Sequence, residues 1–294
     1  MKSLTIFRSE KGWKPNFELL NNNLSLPGKL GYAWKALRDN NPFITVGPNH
    51  LITYEKQEKL LPAQVVDKEL KARIEQIEKD QGYKVGKKQK RDLKEQIIEA
   101  LYVKAFTVSK LVNVWINTEH DLLCIETTST NVSDDVIAHL IRDLEWRGHL
   151  LVTDDQPQEF MRKLIMSDEK YGVGDDGSYF DLGKSCILQS HDGKKITYKN
   201  MFLTDSLVTD GIATGKLPTK MDVVFVGGEQ KCVFTIDDRL VISKIALQDI
   251  TAEDGEHETE NDRFDAEFTI RAGQCIDLIN ELIAVLGEKG VEQS

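Results

Sequence analysis

The chain has 294 residues, of which 40% are hydrophobic, 29% charged and 7% aromatic. This composition is typical of a soluble globular protein, and it excludes a disordered chain, a fibrous repeat and a coiled-coil rod. Lysine and arginine number 38 against 48 aspartates and glutamates, which gives a net charge of -10. A surface of that average charge repels nucleic acid and anionic membranes. A site for a polyanion therefore requires cations gathered into one patch.

No apolar run approaches the roughly 18 to 20 residues that cross a bilayer, and the N-terminus gains charge too early for a secretory signal. We therefore expect a cytoplasmic protein with no membrane partner. The four cysteines are dispersed without a Cys-x-x-Cys pair: Cys124, Cys186, Cys232 and Cys275. This spacing favours buried thiols in a reducing compartment over a disulfide framework or a zinc site.

Short runs of β-branched and aromatic residues predict strands in two groups. The first group comprises residues 4–7, 43–46, 51–54, 105–108, 111–117 and 122–127. The second comprises residues 186–189, 222–226, 231–236 and 239–247. Turn sequences at Gly227-Gly228 and Asp237-Asp238 join members of the second group, so we expect antiparallel meanders.

Apolar residues at helical spacing predict at least four helices between and after these strands. They cover residues 66–77, residues 93–101, a segment capped by Ser133, and residues 275–286, which end at Gly287. Helices and strands are segregated rather than strictly alternating. The predicted fold class is therefore α+β, with antiparallel sheets.

Motifs for catalysis or cofactor binding are weak. Residues 172–177 spell G-x-G-x-x-G, but no strand and helix flank them, and Asp175 and Asp176 would repel a phosphate. No phosphate-binding loop of the type G-x-x-x-x-G-K-[ST] is present, no G-x-S-x-G elbow occurs, and the six histidines lack the spacing of a metal site. We expect no cofactor and no enzyme activity, although acidic turns such as Asp154-Asp155 leave a nuclease site open.

Cations are concentrated in residues 84–110, where eight lysines and arginines stand against three acids. Exposed cations at a helix N-terminus oppose the macrodipole at a cost of about 0.3 to 1 kcal/mol each, and a bound phosphate would reverse that cost. The alternative is a solvated tip between two helices. Residues 249–267 have the opposite bias, with nine acids and one arginine. Five cations lie at or ahead of the start of the second predicted helix: Lys84, Lys87, Lys88, Lys90 and Arg91.

Three blocks of sequence, taken in order, resemble the RdgC family of recombination-associated proteins. The first starts with Glu-Lys-Leu-Leu-Pro at 58–62 and continues through the helix at 65–77, the basic segment at 84–94, Lys104-Ala105-Phe106, 114–118 and 121–123. The second pairs Leu203-Thr204 with Gly215-Lys216, and the third runs from 263–268 into the helix at 278–286. The order and spacing of the blocks, which span most of the chain, carry the resemblance.

The resemblance implies an elongated, curved subunit that forms a ring-shaped homodimer around duplex DNA. Such a ring would bind DNA without marked sequence preference, with single-stranded DNA as a second ligand, and would oppose RecA recombinase action in the nucleoid. Phe106 matches a family position linked to dimer integrity, and we place it at the dimer interface with Leu278, Leu282 and Leu286; the alternative is a core position. Nine residues are candidates for phosphate contact: Lys84, Lys87, Lys88, Lys90, Arg91, Lys104, Lys199, Lys216 and Lys220.

The leading hypothesis is thus a non-catalytic DNA-binding ring protein that modulates recombination. Its predicted sub-regions are a helical basic region with strands at about 60–125, antiparallel strands at 184–250, and a C-terminal strand and helix at 263–288. Two other classes stay open: a DNA-processing enzyme such as a metal-dependent nuclease, and a protein-interaction module that acts directly on the recombinase.

Overall fold

A computed structural model describes residues 1–26, 30–167, 170–173, 177–228, 230–247 and 259–289. The chain divides into two compact units. The larger unit contains Met1–Leu20, Phe43–Ile52 and Val112–Ser294, and the smaller unit contains Asn21–Pro42 and Thr53–Leu111. Two long strands, β4 (Asn49–Leu60) and β5 (Phe106–Asn117), belong partly to each unit.

The remaining strands are short to medium in length. They are β1 (Ser3–Ser9), β2 (Gly31–Trp34), β3 (Phe43–Val46), β6 (Leu122–Ile125), β7 (Gly148–Leu150), β8 (Tyr171–Val173), β9 (Ser178–Gln189), β10 (Lys195–Lys199), β11 (Leu217–Gly227), β12 (Gln230–Asp237) and β13 (Ile242–Leu247). The helices are a 3-10 helix (Phe17–Asn23), α1 (Ala63–Gln81), α2 (Lys87–Lys104), α3 (Thr130–Leu144), α4 (Pro157–Ser167), α5 (Ser206–Ala213) and α6 (Glu260–Leu286).

The larger unit is built on a sheet with the strand order β10-β9-β11-β12-β13-β1-β6-β5. Its pairs are antiparallel, from Lys195 opposite Gln189 at one end to Val114 opposite Ile125 at the other. The predicted α+β class with antiparallel pairing is confirmed. None of the helices in the described ranges has the length and apolarity needed to cross a membrane.

Helices cover the sheet of the larger unit because each carries a stripe of apolar side chains. Residues of α4 and α6, among them Phe160 and Leu278, form one core with strand residues such as Phe180 and Phe225. The opposite face of β1 carries Phe7, whose ring meets that of Trp146, just after α3, edge to face at 5.9 Å. Burial of side chains this large is the main source of folding free energy.

The smaller unit joins a strand pair to a helical hairpin. On β2, Trp34 is fully buried and its ring lies edge-on to that of Tyr54 on β4, with centroids 5.8 Å apart. Helices α1 and α2 pack against each other, and Lys94 Nζ on α2 lies 3.3 Å from Asp67 Oδ1 on α1. Val66 is the buried side chain of α1 and Ile97 that of α2. Most other positions on both helices are exposed, so the hairpin has a narrow core.

Three local predictions are wrong. Helix α3 begins at Thr130 after Ser129, and Ser133 lies buried inside it with its hydroxyl donating to the Thr130 carbonyl oxygen at 2.9 Å. Residues 263–268 belong to α6, which starts at Glu260 after a Thr259 cap, so these residues form a helix and not the predicted C-terminal strand. The strands predicted at 105–108 and 111–117 form one strand, β5. Residues 249–258 of the acidic segment lie outside the described ranges.

Candidate nucleic-acid interface

The first candidate surface is the beginning of α2. Gly86 caps this helix with φ -72° and ψ 163°, and no side chain caps its free N–H groups. Lys87, Lys88 and Lys90 follow in the first turn, which contains no acidic residue, and all three are exposed. We call Lys84, Lys87, Lys88, Lys90 and Arg91 the hairpin cluster. The sequence-based placement of these cations at a helix start is confirmed.

Few carboxylates neutralise the hairpin cluster. Arg91 Nε lies 3.9 Å from a carboxylate oxygen of Asp92 and the same distance from one of Glu95, and both contacts are exposed and long. The four lysines of the cluster form no ion pair within the part of the chain that the structure describes. Positive charge beside unsatisfied helix N–H groups attracts an anion.

Lys104 does not belong to this surface. It is the last residue of α2, about 25 Å along the axis from Lys87 at 1.5 Å per residue. A cation at a helix C-terminus is stabilised by the macrodipole. The charge of the exposed Lys104 therefore stabilises the C-terminal end of α2. The structure does not bring Lys104 together with the hairpin cluster.

The second candidate surface is the uncovered face of the sheet at β10, β9 and β11 in the larger unit. Lys220 lies opposite Ile187, and Ile187 lies opposite Thr197. Because directly paired residues in antiparallel strands share a face, Lys220 shares a face with Thr197 and with Lys195 and Lys199 on either side of it. The other face carries Cys186 and Leu188, which are buried in the core.

We call Lys195, Lys199 and Lys220 the sheet-face cluster. The sequence prediction includes Lys199 and Lys220 but misses Lys195, which the alternation along β10 and its register with β9 reveal. Lys220 also lies opposite Asp237, whose carboxylate accepts a hydrogen bond from Arg239 at 2.7 Å. Lys216 is separate, since it precedes β11 and its Nζ donates to Thr214 Oγ1 at 3.1 Å.

The four residues assigned to a dimer interface have different environments. Phe106, at the start of β5, is 83% exposed, so its alternative assignment as a core residue is wrong. Leu278, Leu282 and Leu286 are 0%, 2% and 2% exposed, and they pack in the core of their own subunit. The prediction that these three leucines lie at a dimer interface is therefore wrong. An apolar stripe on a helix has the same sequence pattern whether it meets a sheet or a partner.

The segments considered for catalysis have local structural roles. Gly172 lies in β8 and Gly177 just before β9, and these two strands pair antiparallel, so the G-x-G-x-x-G sequence connects two strands and not a strand and a helix. Asp155 Oδ2 forms an ion pair with Lys163 and accepts a hydrogen bond from its Nζ at 3.3 Å. No group of three or more histidine, cysteine, aspartate or glutamate side chains within the described ranges could hold a metal ion.

The four cysteines are buried and reduced. Burial raises the pKa of the Cys186 and Cys232 thiols to about 12 and that of Cys275 to about 11. A thiol with so high a pKa is almost entirely protonated near neutral pH, and the thiolate is the reactive form. These cysteines therefore serve as small apolar core residues.

The described residues thus combine an α+β fold with two local clusters of cations in a chain whose net charge is -10. A family model described as "Putative exonuclease, RdgC" matches residues 1–289. Curated relatives named "Recombination-associated protein RdgC" include one from Cupriavidus necator, 32% identical, over 87% of this chain and 84% of that protein. Relatives of the same name occur in Cupriavidus pinatubonensis, at 31% identity over 97% of both chains, and in Dechloromonas aromatica, at 26% over 99% of this chain and 98% of that protein.

The chain belongs to the RdgC family of recombination-associated proteins.

Proposed function

We propose that this protein is a non-catalytic, largely sequence-independent DNA-binding protein that modulates recombination by occupying duplex DNA. The observation that supports the proposal most strongly is the first turn of α2, where three exposed lysines and no acid surround uncapped helix N–H groups. That arrangement is unfavourable in the free protein and becomes favourable when phosphate binds. Family membership adds the link to recombination.

The chemistry of the two clusters favours phosphate contact over base reading. Lysine dominates both clusters, and its ammonium acts as a point charge, whereas arginine has the planar fork that reads guanine bidentately. Binding should therefore weaken steeply with salt, with a slope of log K against log salt of about -0.9 per phosphate neutralised. Fluorescence anisotropy with two unrelated 30-bp duplexes at increasing potassium chloride tests this. A preference above about a thousandfold for one sequence would contradict it.

A nuclease is the second candidate function, because the matching family model has "exonuclease" in its description. Incubation of the purified protein with linear and circular plasmid DNA, with and without magnesium, separates the two functions. Binding without loss of nucleotides supports the non-catalytic proposal. Magnesium-dependent shortening of linear DNA, reproduced across independent preparations, would overturn it.

We further propose that the protein acts as a homodimer closed into a ring around duplex DNA and that it opposes RecA recombinase action. A ring explains how an acidic chain holds DNA. Cations that face the hole neutralise phosphates and release the counterions condensed on the DNA, while the acids face outward. The exposed ring of Phe106 supplies apolar surface suited to a subunit contact. Sedimentation velocity reports the dimer, and strand-exchange assays with and without the protein report the effect on the recombinase.

A further inference from the structure

Tyr83 lies at the turn between α1 and α2, and 67% of it is exposed. Lys84 follows it directly, and Lys87 and Lys88 come four and five residues later, all three exposed. The nearest acid in sequence is Asp80, whose carboxylate accepts hydrogen bonds from Gln76 Nε2. The tip of the hairpin therefore presents one aromatic ring next to the positive charge of the hairpin cluster. An isolated exposed aromatic residue is ordinary on most surfaces, but its position next to this cluster gives it a specific chemistry.

The backbone that carries Tyr83 is held by three hydrogen bonds. The N–H of Gly82 donates to the Glu78 carbonyl oxygen at 3.0 Å, with Gly82 in the left-handed conformation at φ 76°. The Gln81 side chain donates from Nε2 to the carbonyl oxygen of Tyr83 at 3.0 Å. The N–H of Val85 donates to Glu78 Oε1 at 2.9 Å, and the Val85 side chain is buried. The turn is thus fixed on both sides of Tyr83 while its ring faces solvent.

An aromatic ring beside lysines has the composition of a site for unpaired nucleotides. In single-stranded nucleic acid binding, bases stack on aromatic side chains while cations contact the backbone phosphates. In an intact duplex both faces of an internal base are covered by its neighbours, so a protruding tyrosine has no base face to stack on. Positive charge argues against an apolar or basic protein segment as the occupant of this tip.

We propose that Tyr83 stacks on an unpaired base of single-stranded or gapped DNA while the lysines of the hairpin cluster contact the adjacent phosphates. This proposal rests on the proposed function, because it requires that the hairpin cluster meets DNA. It adds a contact that discriminates between DNA structures without reading sequence, since every base offers a π-face. The occupant is thus an unpaired nucleobase.

The test compares three variants on two probes, a fluorescein-labelled dT20 single strand and a 20-bp duplex, by anisotropy at fixed salt. Tyr83→Ala should weaken binding to the single strand about tenfold, in the range measured for loss of one stacked base, and should change duplex affinity less than twofold. Tyr83→Trp should retain the affinity for the single strand. Tyr102→Ala is the matched control, because Tyr102 is 45% exposed at the other end of the same hairpin.

A second measurement tests directly whether the Tyr83 ring stacks on a base. A single strand containing 2-aminopurine should lose fluorescence on binding to the wild-type protein and to Tyr83→Trp, and lose less with Tyr83→Ala. Equal affinities of wild type and Tyr83→Ala for dT20, or equal reductions in affinity for both probes, would overturn the stacking proposal. If the wild-type protein binds neither probe, the proposed function itself fails, which is a different outcome. Unchanged thermal unfolding confirms that the variants are folded.

Discussion

The carboxylate of Glu78 accepts a hydrogen bond from the backbone N–H of Val85, 2.9 Å away across the turn between α1 and α2. This contact pairs the N–H of the residue before the Gly86 cap and leaves the free N–H groups at the start of α2 without a side-chain partner. It also fixes the segment from which Lys84 projects. One side chain on α1 thus positions the beginning of α2.

Replacing Glu78 by Ala should therefore loosen the hairpin tip. The loss of one partly buried hydrogen bond costs about 1 kcal/mol, and the amide of Val85 should exchange its hydrogen faster as a result. Glu78→Gln should restore protection, because the amide oxygen is also an acceptor. Glu75→Ala, an exposed position on the same helix, is the control. Unaltered exchange at Val85 in Glu78→Ala would show that the contact does not hold the turn.

The hairpin cluster should contribute to DNA affinity while slightly destabilising the free protein. Replacing Lys87, Lys88, Lys90 and Arg91 by Ala should weaken duplex binding by about tenfold or more, and lower the salt slope by about 0.9 for each phosphate that the variant no longer neutralises. Stability should stay constant or rise, because cations at a helix N-terminus cost about 0.3 to 1 kcal/mol each when exposed. Anisotropy titrations and urea unfolding measure the two effects.

The matched control for the hairpin cluster also removes four cations. Arg142, Arg162, Lys163 and Arg263 each lie within 3.3 Å of a carboxylate oxygen, so they are already paired. Their replacement by Ala should leave the salt slope nearly unchanged. If both quadruple variants lose affinity equally, only the overall charge matters, and the hairpin cluster has no special role.

The sheet-face cluster should act as a second phosphate-binding surface. Replacing Lys195, Lys199 and Lys220 by Gln keeps most of the length of the side chains and removes three charges from one face of the sheet. We expect lower duplex affinity and a smaller salt slope. Lys195 and Lys199 are exposed and Lys220 is half-buried, and Gln keeps most of the side chain of each, so stability should change little. Lys216→Gln is the single control. A triple variant that binds as the wild type would exclude this face.

The sequence correctly predicts those elements whose pattern of apolar and turn residues matches the contacts that they make in the fold. The apolar stripe of α6 and its end at Gly287 are examples, since a helix of this pattern must bury one face. The antiparallel pairing of β11 and β12 follows from the short turn at Gly227-Gly228. For the candidate site, the density of lysines before α2 is sufficient to place the hairpin cluster.

Other features depend on contacts between distant residues, which a single sequence does not contain. Lys195 and Lys220 lie on the same face only because of the register of β10, β9 and β11. A slip of β10 by one residue would place Lys195 on the other face of the sheet. The pattern predicts Ser133 as a cap because it precedes two aspartates, but Ser129 and Thr130 come earlier and the helix starts there. Nothing in the pattern of Leu278 and its neighbours shows whether a sheet or a second subunit covers them.

Phe106 should act in subunit association and not in the stability of the fold. Its side chain is 83% exposed, so Phe106→Ala removes almost no buried area within the subunit. We expect sedimentation velocity to show a weaker dimer for this variant, DNA affinity to fall in parallel, and urea unfolding of the monomer to remain unchanged. Ile141→Ala on α3, 51% exposed, is the control. A variant that remains dimeric at the same concentration would remove Phe106 from the interface.

The smaller unit should lose stability in acid through Glu55, a buried residue on β4. Its carboxylate accepts hydrogen bonds from Ser25 Oγ at 2.5 Å and from Gln57 Nε2 at 3.4 Å. Burial alone would raise the pKa of Glu55, but hydrogen bonds from Ser109 and Ser25 and the charge of Lys35 outweigh it, so the pKa lies below the ordinary value of 4.5. The carboxylate therefore stabilises the fold above about pH 4.5, and this contribution is lost as the pH falls through the lowered pKa.

Glu55→Gln should accordingly reduce the free energy of unfolding by about 1 to 3 kcal/mol at pH 7, as expected for loss of hydrogen bonds to a buried charge. The difference from the wild type should shrink as the pH is lowered below about 4.5, because protonation removes the same charge from the wild type. Urea unfolding at pH 7, 5, 4 and 3 measures this, with Glu69→Gln on the exposed surface of α1 as the control. Parallel pH profiles for wild type and Glu55→Gln would show that the ionised Glu55 does not stabilise the folded state.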